Sequence, residues 1–389
     1  MKVTEFHHEC RKLKLIFMSL EIRNIGCKKE LNAFIFLPEK LHRGHRNWVP
    51  PIYPLEKRYF NPDKNRAFSY SDTLMALAYR DGKPEGRIMG IINKRYNDYK
   101  KEKNARFGYL ECPENQQVAH ELLDRVEQWA RKKGMNRIVG PMGFNNQDPA
   151  GFLTEGFEHE PTVSTYYNYP YLNRLLENEG YTKEVDYVVY KVVIPEQLPE
   201  IYKRIYDRII QQGKYRIIEF SRRKQIRPHI IPMLELMNEC FTELYGFQPL
   251  DKAEMNDLAK RYLRILDPRF IKVVKKGGDT IAFNIAMPNL SAGIRKARGR
   301  LFPLGLLQIL CQAQKSKQLD TIMGGIREEF RGRGIDVLMI YKTITAARKA
   351  GMKCADSHHE MEDNHKIRAE MERLGGAVYK RFRIYGKQL

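Results

Sequence analysis

The spacing of apolar positions along the chain switches repeatedly between a period of two and a period near 3.6, which predicts strands alternating with helices. Residues 20–25 read as a first strand and 28–41 as a helix. Residues 73–80 and 86–93 alternate on either side of Asp81-Gly82, a strong hairpin signal. A strand follows at 105–112. From 116 to 133, Val118, Leu122, Val126, Trp129 and Ala130 share one helical face, and Gly134 ends the run. Residues 136–139 form the next strand, entering an irregular Gly140-Pro141-Met142-Gly143-Phe144. A short helix at 172–179 and a strand at 186–193 close a first unit near residue 195. The prolines of 47–63 (Pro50, Pro51, Pro54, Pro62) predict an ordered loop there.

After a connecting helix at 200–212 the order returns. A strand at 217–220 leads to helices at 228–241 and 252–266. A hairpin, 270–275 and 280–287, turns at Gly277-Gly278. Then come a helix (304–314), a strand (321–326), a helix (337–350), a strand (353–357), a helix (364–373) and a last strand (377–385). Each half reads strand, helix, hairpin, strand, helix, strand, helix, strand, an internal repeat of architecture with little residue identity. The expectation is an α/β (α+β) fold of two tandem units, 21–195 and 216–389. Each has a central mixed sheet flanked by helices, and residues 196–215 join them. Residues 1–20 read as a leader of uncertain order, with Met18 as a second candidate start.

Composition narrows the class. The chain has 389 residues, 42% hydrophobic and 30% charged, enough apolar content for real cores. Its net charge of +21 favours an anionic partner: nucleic acid, an acidic membrane face or a phosphorylated cofactor. The six cysteines are scattered without a CxxC pair, which suits a reducing cytosol better than a disulfide or zinc framework. No run approaches the roughly 18 apolar residues of a membrane span.

The stretch with the clearest chemistry is Glu328-Glu329-Phe330-Arg331-Gly332-Arg333-Gly334-Ile335-Asp336. It joins an apolar strand to an amphipathic helix that buries Val337, Ile340, Tyr341, Ile344 and Ala347. A glycine-bearing loop at a helix N-terminus can offer bare N–H groups to an anion.

Arg331-x-x-Gly334 opening a long helix, with Asn364 eleven residues before Gly375 of Leu374-Gly375-Gly376, resembles the GCN5-related N-acetyltransferase (GNAT) superfamily. The first half, through Gly140-Pro141-x-Gly143-Phe144, Gly151-Phe152-Leu153, Gly156-Phe157 and Tyr167-Asn168-x-Pro170-Tyr171, resembles a divergent copy in a bacterial double-GNAT subgroup. The resemblance implies an acyl-CoA-dependent N-acyltransferase, with acetyl-CoA as the expected donor and direct attack by the amine of a small-molecule or peptide acceptor. It places the cofactor on Ile326, Arg331, Gly332, Arg333, Gly334, Ile335, Asp336 and Asn364. Three positions depart from the family: Asp336 stands where Gly or Ala is usual, Met371 where a Tyr acts as general acid, and Gly376 where Phe is usual. The first half's matching loop, 113–118, has no glycine and an added Glu114, and is expected not to bind CoA.

Asp356 and His359 leave the strand beside the loop and are the candidate catalytic residues, one of them as a base for the amine. The surrounding His358, His359, Glu360, Glu362, Asp363 and His365 match no familiar zinc spacing, so no metal is expected. Tyr167, Asn168 and Tyr171 are candidates for an acceptor pocket, against the plainer reading of packing between the halves. Between 203 and 227 stand nine Lys/Arg against two acids, and 295–300 is a second basic cluster. These leave open an anionic acceptor, nucleic acid included, and with it an aminoacyl-tRNA-dependent or lipid-linked transferase. A non-catalytic ligand-binding protein with a decayed site is the third reading.

Overall fold

A computed structural model describes residues 20–389 apart from Arg264. The leader read over 1–20 and the start at Met18 lie, Leu20 aside, outside the described residues. The first half contains β1 (Leu20–Asn24), α1 (Lys28–Leu41), α2 (Tyr53–Tyr59), β2 (Ser71–Arg80), β3 (Lys83–Asn93), α3 (Lys94–Lys100), β4 (Asn104–Glu111), α4 (Gln116–Lys132), β5 (Arg137–Gly140), β6 (Phe152–Glu155), α5 (Tyr171–Asn178) and β7 (Thr182–Val193). Helix α6 (Glu200–Gln211) leads to β8 (Arg216–Glu219), α7 (Arg223–Cys240), α8 (Lys252–Tyr262), β9 (Ile271–Lys276), β10 (Asp279–Pro288), α9 (Ser291–Lys296) and α10 (Gly305–Lys315). The second half ends with β11 (Gln318–Ile326), α11 (Ile335–Lys349), β12 (Cys354–Asp356), β13 (Glu360–Met361), α12 (His365–Arg373) and β14 (Ala377–Gln388).

The repeat is visible in the strand pairing. β1 to β4 pair antiparallel in sequence, and β5 adds to β4 in parallel after the crossover α4. β8 to β11 do the same, and β12 adds to β11 in parallel after the crossover α11. The mixed α/β class of the sequence reading is the observed one.

The last strands of the halves cross over. β14 lies between β5 and β7, and β7 pairs with β12, so the sheet is continuous in the order β1-β2-β3-β4-β5-β14-β7-β12-β11-β10-β9-β8. β7 and β14 are antiparallel neighbours from Ala377↔Lys191 to Gly386↔Thr182. The core between the halves is therefore built from both: Val139, Leu153, Tyr187 and Val189 pack with Phe382 and Ile384 of β14. Phe382 and Ile384 are 1% and 0% exposed, and burial of side chains of this size contributes about 1.5–3 kcal/mol each.

Two local expectations change. The segment read as a loop over 47–63 contains α2, because Pro54 falls in its first turn, where a missing N–H costs nothing. Helix α7 begins at Arg223 rather than 228 and runs through Pro228 and Pro232. Among the described residues no helix is long and apolar enough to cross a membrane.

Candidate active site

β11 ends in a single turn, Glu328–Phe330, that delivers the chain to Arg331. Phe330 is buried against Ile335, Leu338 and Ile209, which anchors the loop. Gly332 and Gly334 take φ of 71° and 79°. A β-carbon at 332 would meet nothing within 4 Å, whereas one at 334 would lie 2.8 Å from Ile209 Cδ1 and 3.1 Å from Ile205 Cγ2. Helix α6 thus backs the loop, further held by Tyr206 stacked on Tyr341 at 4.4 Å. Gly334 is the N-cap of α11 and supplies no side-chain cap, so the first N–H groups of the helix keep their hydrogen-bonding capacity. In the first half, the equivalent helix start is closed: Asn115 Oδ1 accepts the N–H of Val118 at 3.2 Å.

In front of the loop a cleft of about 1550 Å³ opens between the two halves. It brings together Ile326, Arg331, Gly332, Asp336, Asn364, Asp356 and His359. Arg333, Gly334 and Ile335 stand behind its wall. The Arg333 guanidinium lies 5.6 Å from the Phe330 ring centre, and Ile335 is fully buried. Arg331 Nε donates to Ile326 O at 3.2 Å. Asn364 also caps α12, its Oδ1 accepting from Ile367 N at 3.4 Å. The first half contributes Met142, Gln147, Ser164 and Tyr187 to the opposite side.

Tyr167, Asn168 and Tyr171 are not brought to the cleft. The Tyr167 hydroxyl donates to Phe157 O, and its ring packs on His45 at 4.9 Å. Tyr171 donates to Cys112 O at 2.9 Å. Asn168 accepts from Leu153 N at 2.7 Å and donates to Leu153 O at 3.2 Å. Tyr169 stacks on His42 at 5.0 Å and Tyr167 joins the core shared with Phe382 and Ile384 of β14, so the aromatic run is consumed by packing, partly within the first half and partly between the halves.

The chemistry-bearing groups line the cleft floor. Asp356 is fully buried. It accepts from His358 N at 2.7 Å and from the Tyr379 hydroxyl, and Lys380 Nζ stands 3.8 Å away. His358, at φ 61°, accepts from His359 N at 2.9 Å through Nδ1 and donates from Nε2 to Val163 O at 3.0 Å, the pattern of a neutral ring. His359 lies on Tyr187 at 5.1 Å and against Phe382 at 4.4 Å. Burial, reinforced by His358 and Lys380, keeps its pKa well below the ordinary histidine value. Its Nε2 is buried without a protein partner.

Three further acidic groups stand in or next to the cleft: Glu360, which belonged to the cluster weighed for metal in the sequence, and Glu370 and Asp320, which the sequence did not single out. Glu360 follows His359 on β13, and burial pushes its carboxyl up to about 8. Glu370 on α12 lies against Asp336, and burial, then the hydrogen bond to that carboxylate, push it up to about 8. Asp320 lies beneath Asp356. Among the described residues no cluster of three or more His, Cys, Asp or Glu is placed to hold a metal ion. The signal for Lys380 was present: in the alternation of the last strand it shares a face with Phe382 and Ile384, a charge among core positions.

No family model matches the chain. It is 26% identical over 380 residues to the bacterial ceramide synthase of Caulobacter vibrioides, covering 95% of this chain and 98% of that one. In shape, the tandem GNAT protein from the clavulanic acid biosynthesis pathway, solved without acetyl-CoA, overlays with a TM-score of 0.55 at 11% identity, covering 95% and 98% of the two chains. The chain has the tandem GNAT fold. A GCN5-related N-acetyltransferase from Sphaerobacter thermophilus overlays with a TM-score of 0.52 at 13% identity, covering 95% of each chain. Within this tandem GNAT fold the halves are not equivalent. The uncapped helix start, the acidic groups and the unpartnered imidazole nitrogen all belong to the second half, and the first supplies the facing wall.

Proposed function

We propose that the protein is an N-acyltransferase that moves an acyl group from acyl-CoA to the amine of a long-chain lipid acceptor of the sphingoid type. The observation that carries this reading is the single cleft joining the uncapped α11 start to His359 and Glu360. Its size supports a lipid: about 1550 Å³ exceeds the roughly 300–1,000 Å³ of pockets for drug-sized ligands. Its walls include Met142, Met237, Phe283, Met323, Met339 and Met361, flexible and apolar surfaces that accommodate an alkyl chain. The whole-length likeness to a ceramide synthase, an enzyme named for an N-acylated lipid product, points the same way.

The residues present fit a CoA diphosphate. The loop has two glycines at positive φ, an open space above Gly332, and a helix start without a side-chain cap. The N–H groups of Gly332 and Asp336 and the Arg331 guanidinium, which line the cleft, would hold it, with Glu370 setting a pH limit on that affinity. Acyl-CoA, when bound, supplies an acyl group already activated as a thioester. Glu360 takes the proton of the acceptor amine, its raised pKa matching that task near neutral pH. His359 Nε2 accepts a hydrogen bond from the acceptor. Asp356 is a positioning residue: it holds the 358–360 segment through the His358 N–H and Tyr379.

The test is direct. Purified protein is incubated with palmitoyl-CoA and sphinganine, thiol release is followed, and the lipid product is weighed by mass spectrometry. N-acylated product with stoichiometric thiol is expected. No thiol release above a heat-inactivated control, with donors from acetyl to palmitoyl, overturns the reading.

A further inference from the structure

Helices α9 and α10 form a hairpin inserted between β10 and β11. Its inner face is a core of Leu290, Ile294, Ala297, Ile309 and Ala313. Its tip is the reverse. Phe302 is 89% exposed, and Leu304, Leu306 and Leu307 are 59%, 44% and 59% exposed. Among the described residues, four of the nine exposed large apolar side chains fall in these six positions, so this is a patch rather than ordinary surface scatter.

The tip is held firmly. Gly299 O accepts the N–H of Tyr53 at 2.9 Å. Gly299 has φ of +67°, and a β-carbon there would lie 2.1 Å from Pro51 O. The connecting loop is thus clamped to the first half at Gly299, and the apolar side chains that follow it project from a fixed support.

The charge carried by the hairpin itself has one sign. Residues 280–319 contain six Lys/Arg and no Asp or Glu. Arg295 pairs with Glu160, and Arg300 lies 3.6 Å from Glu39. Lys296, Arg298, Lys315 and Lys317 make no ion pair among the described residues and are exposed. A second copy of this chain would bring the same basic patch against itself on a protein of net charge +21. An anionic bilayer offers what both parts of the surface lack: an apolar layer for Phe302 and the leucines, and negative headgroups for the lysines and arginines.

We propose that the 296–307 tip docks the protein on an anionic membrane surface, inserting Phe302, Leu304 and Leu307 at the headgroup boundary. Ile322 packs on the inner core of the hairpin and also lines the cleft, so docking sets a cleft wall beside the bilayer. The consequence that a lipid acceptor enters from the membrane rests on the acyl-transfer reading; the docking does not.

Flotation of the full chain with vesicles of phosphatidylglycerol mixed with phosphatidylcholine tests this. Two variants are compared: Phe302→Ser with Leu304→Ser and Leu307→Ser, and Lys296→Gln with Arg298→Gln. The native protein is expected to float with the anionic vesicles and much less with pure phosphatidylcholine. The apolar variant should lose binding about tenfold or more, with unchanged thermal stability because the replaced side chains are exposed. The charge variant should bind more weakly at low salt. Absence of native binding, or native-like binding by the apolar variant, overturns the proposal. So does a native dimer that the apolar variant converts to monomer, since the patch would then be a contact between copies. Vesicle binding is read without turnover, and turnover on detergent-dispersed substrates without vesicles, so failure of either reading is seen separately.

Discussion

Asp320 and Asp356 are register partners on the neighbouring parallel strands β11 and β12, and both are fully buried. Burial, then the Asp356 charge, push the Asp320 carboxyl up to about 8. Asp320 is served by neutral donors, Gln318 Nε2 and Asn289 Nδ2, each at 2.8 Å. Asp356 faces Lys380 and Tyr379. Asp320 thus keeps its proton near neutrality. A raised folded pKa means that Asp320 favours the fold fully below its unfolded value and loses this as pH rises through about 8. Asp320→Asn, which binds no proton, should therefore gain on the native protein progressively as pH rises from about 4 toward 8 and level off above that. Asp356→Asn removes the carboxylate beside the buried Lys380, leaving its Nζ the Glu160 carbonyl and the Tyr379 ring, and should cost about 3–5 kcal/mol. Urea denaturation of both variants across that range is the check.

Glu360 should govern the pH dependence of turnover. Burial is what raises its pKa to about 8, and only the ionised form can accept a proton. kcat/KM is expected to rise with pH and level off above about 8. Glu360→Gln should lower kcat about 10²–10⁴-fold and flatten the rise. A Gln variant that keeps the native pH profile would assign the base elsewhere.

The glycine loop, both halves and the crossover helices were legible because their signals are local: a period, a turn dipeptide, a glycine before an amphipathic run. The exchange of last strands was not. Phe382 and Ile384 alternate in the same way whichever strand lies beside them, so periodicity cannot say that β14 sits between β5 and β7. The same limit hid the burial of Glu360, a residue the sequence offered only as part of a metal-like cluster, because that environment comes from β7, paired at Val188. Tyr167, Asn168 and Tyr171 show the converse: aromatic enrichment marks burial but does not separate a pocket wall from packing.

Glu370 and Asp336 should make CoA binding weaken with pH. Both line the cleft at the loop, and Glu370 holds its proton up to about 8. Below that the Glu370 carboxyl is neutral toward an incoming diphosphate; above it, it adds a negative charge. Calorimetric titration with CoA should show affinity falling about tenfold between pH ~7 and pH ~9, and Glu370→Gln should retain the tighter value throughout. Equal slopes in both proteins would place the diphosphate away from this pair.

Asn168→Ala should act on stability, not on substrate affinity. The side chain is 3% exposed and bonds both the N–H and the carbonyl of Leu153, fastening β6. Its loss takes the acceptor from the buried Leu153 N–H, at about 1–3 kcal/mol, while Asn173 Nδ2 still serves the Leu153 carbonyl at 2.8 Å. The midpoint of thermal unfolding should fall while KM for both substrates stays within about twofold. A rise in KM without a loss of stability would return Asn168 to the acceptor site.

Gly334→Ala and Gly332→Ala separate the two demands on the loop. Both positions have positive φ, which costs an alanine about 1–2 kcal/mol. At 332 the added methyl meets open space, so little beyond that strain is expected. At 334 it would stand 2.8 Å from Ile209 on α6, so α6 or the loop must shift. Gly334→Ala should therefore lose more stability than Gly332→Ala. It should also expose Tyr206, which is stacked on Tyr341, to fluorescence quenching by acrylamide. Gly332→Ala should weaken CoA binding instead, because Gly332 lines the cleft, where the diphosphate is expected to approach the backbone. Equal losses of stability with no change in CoA affinity would mean that the loop serves only as a turn.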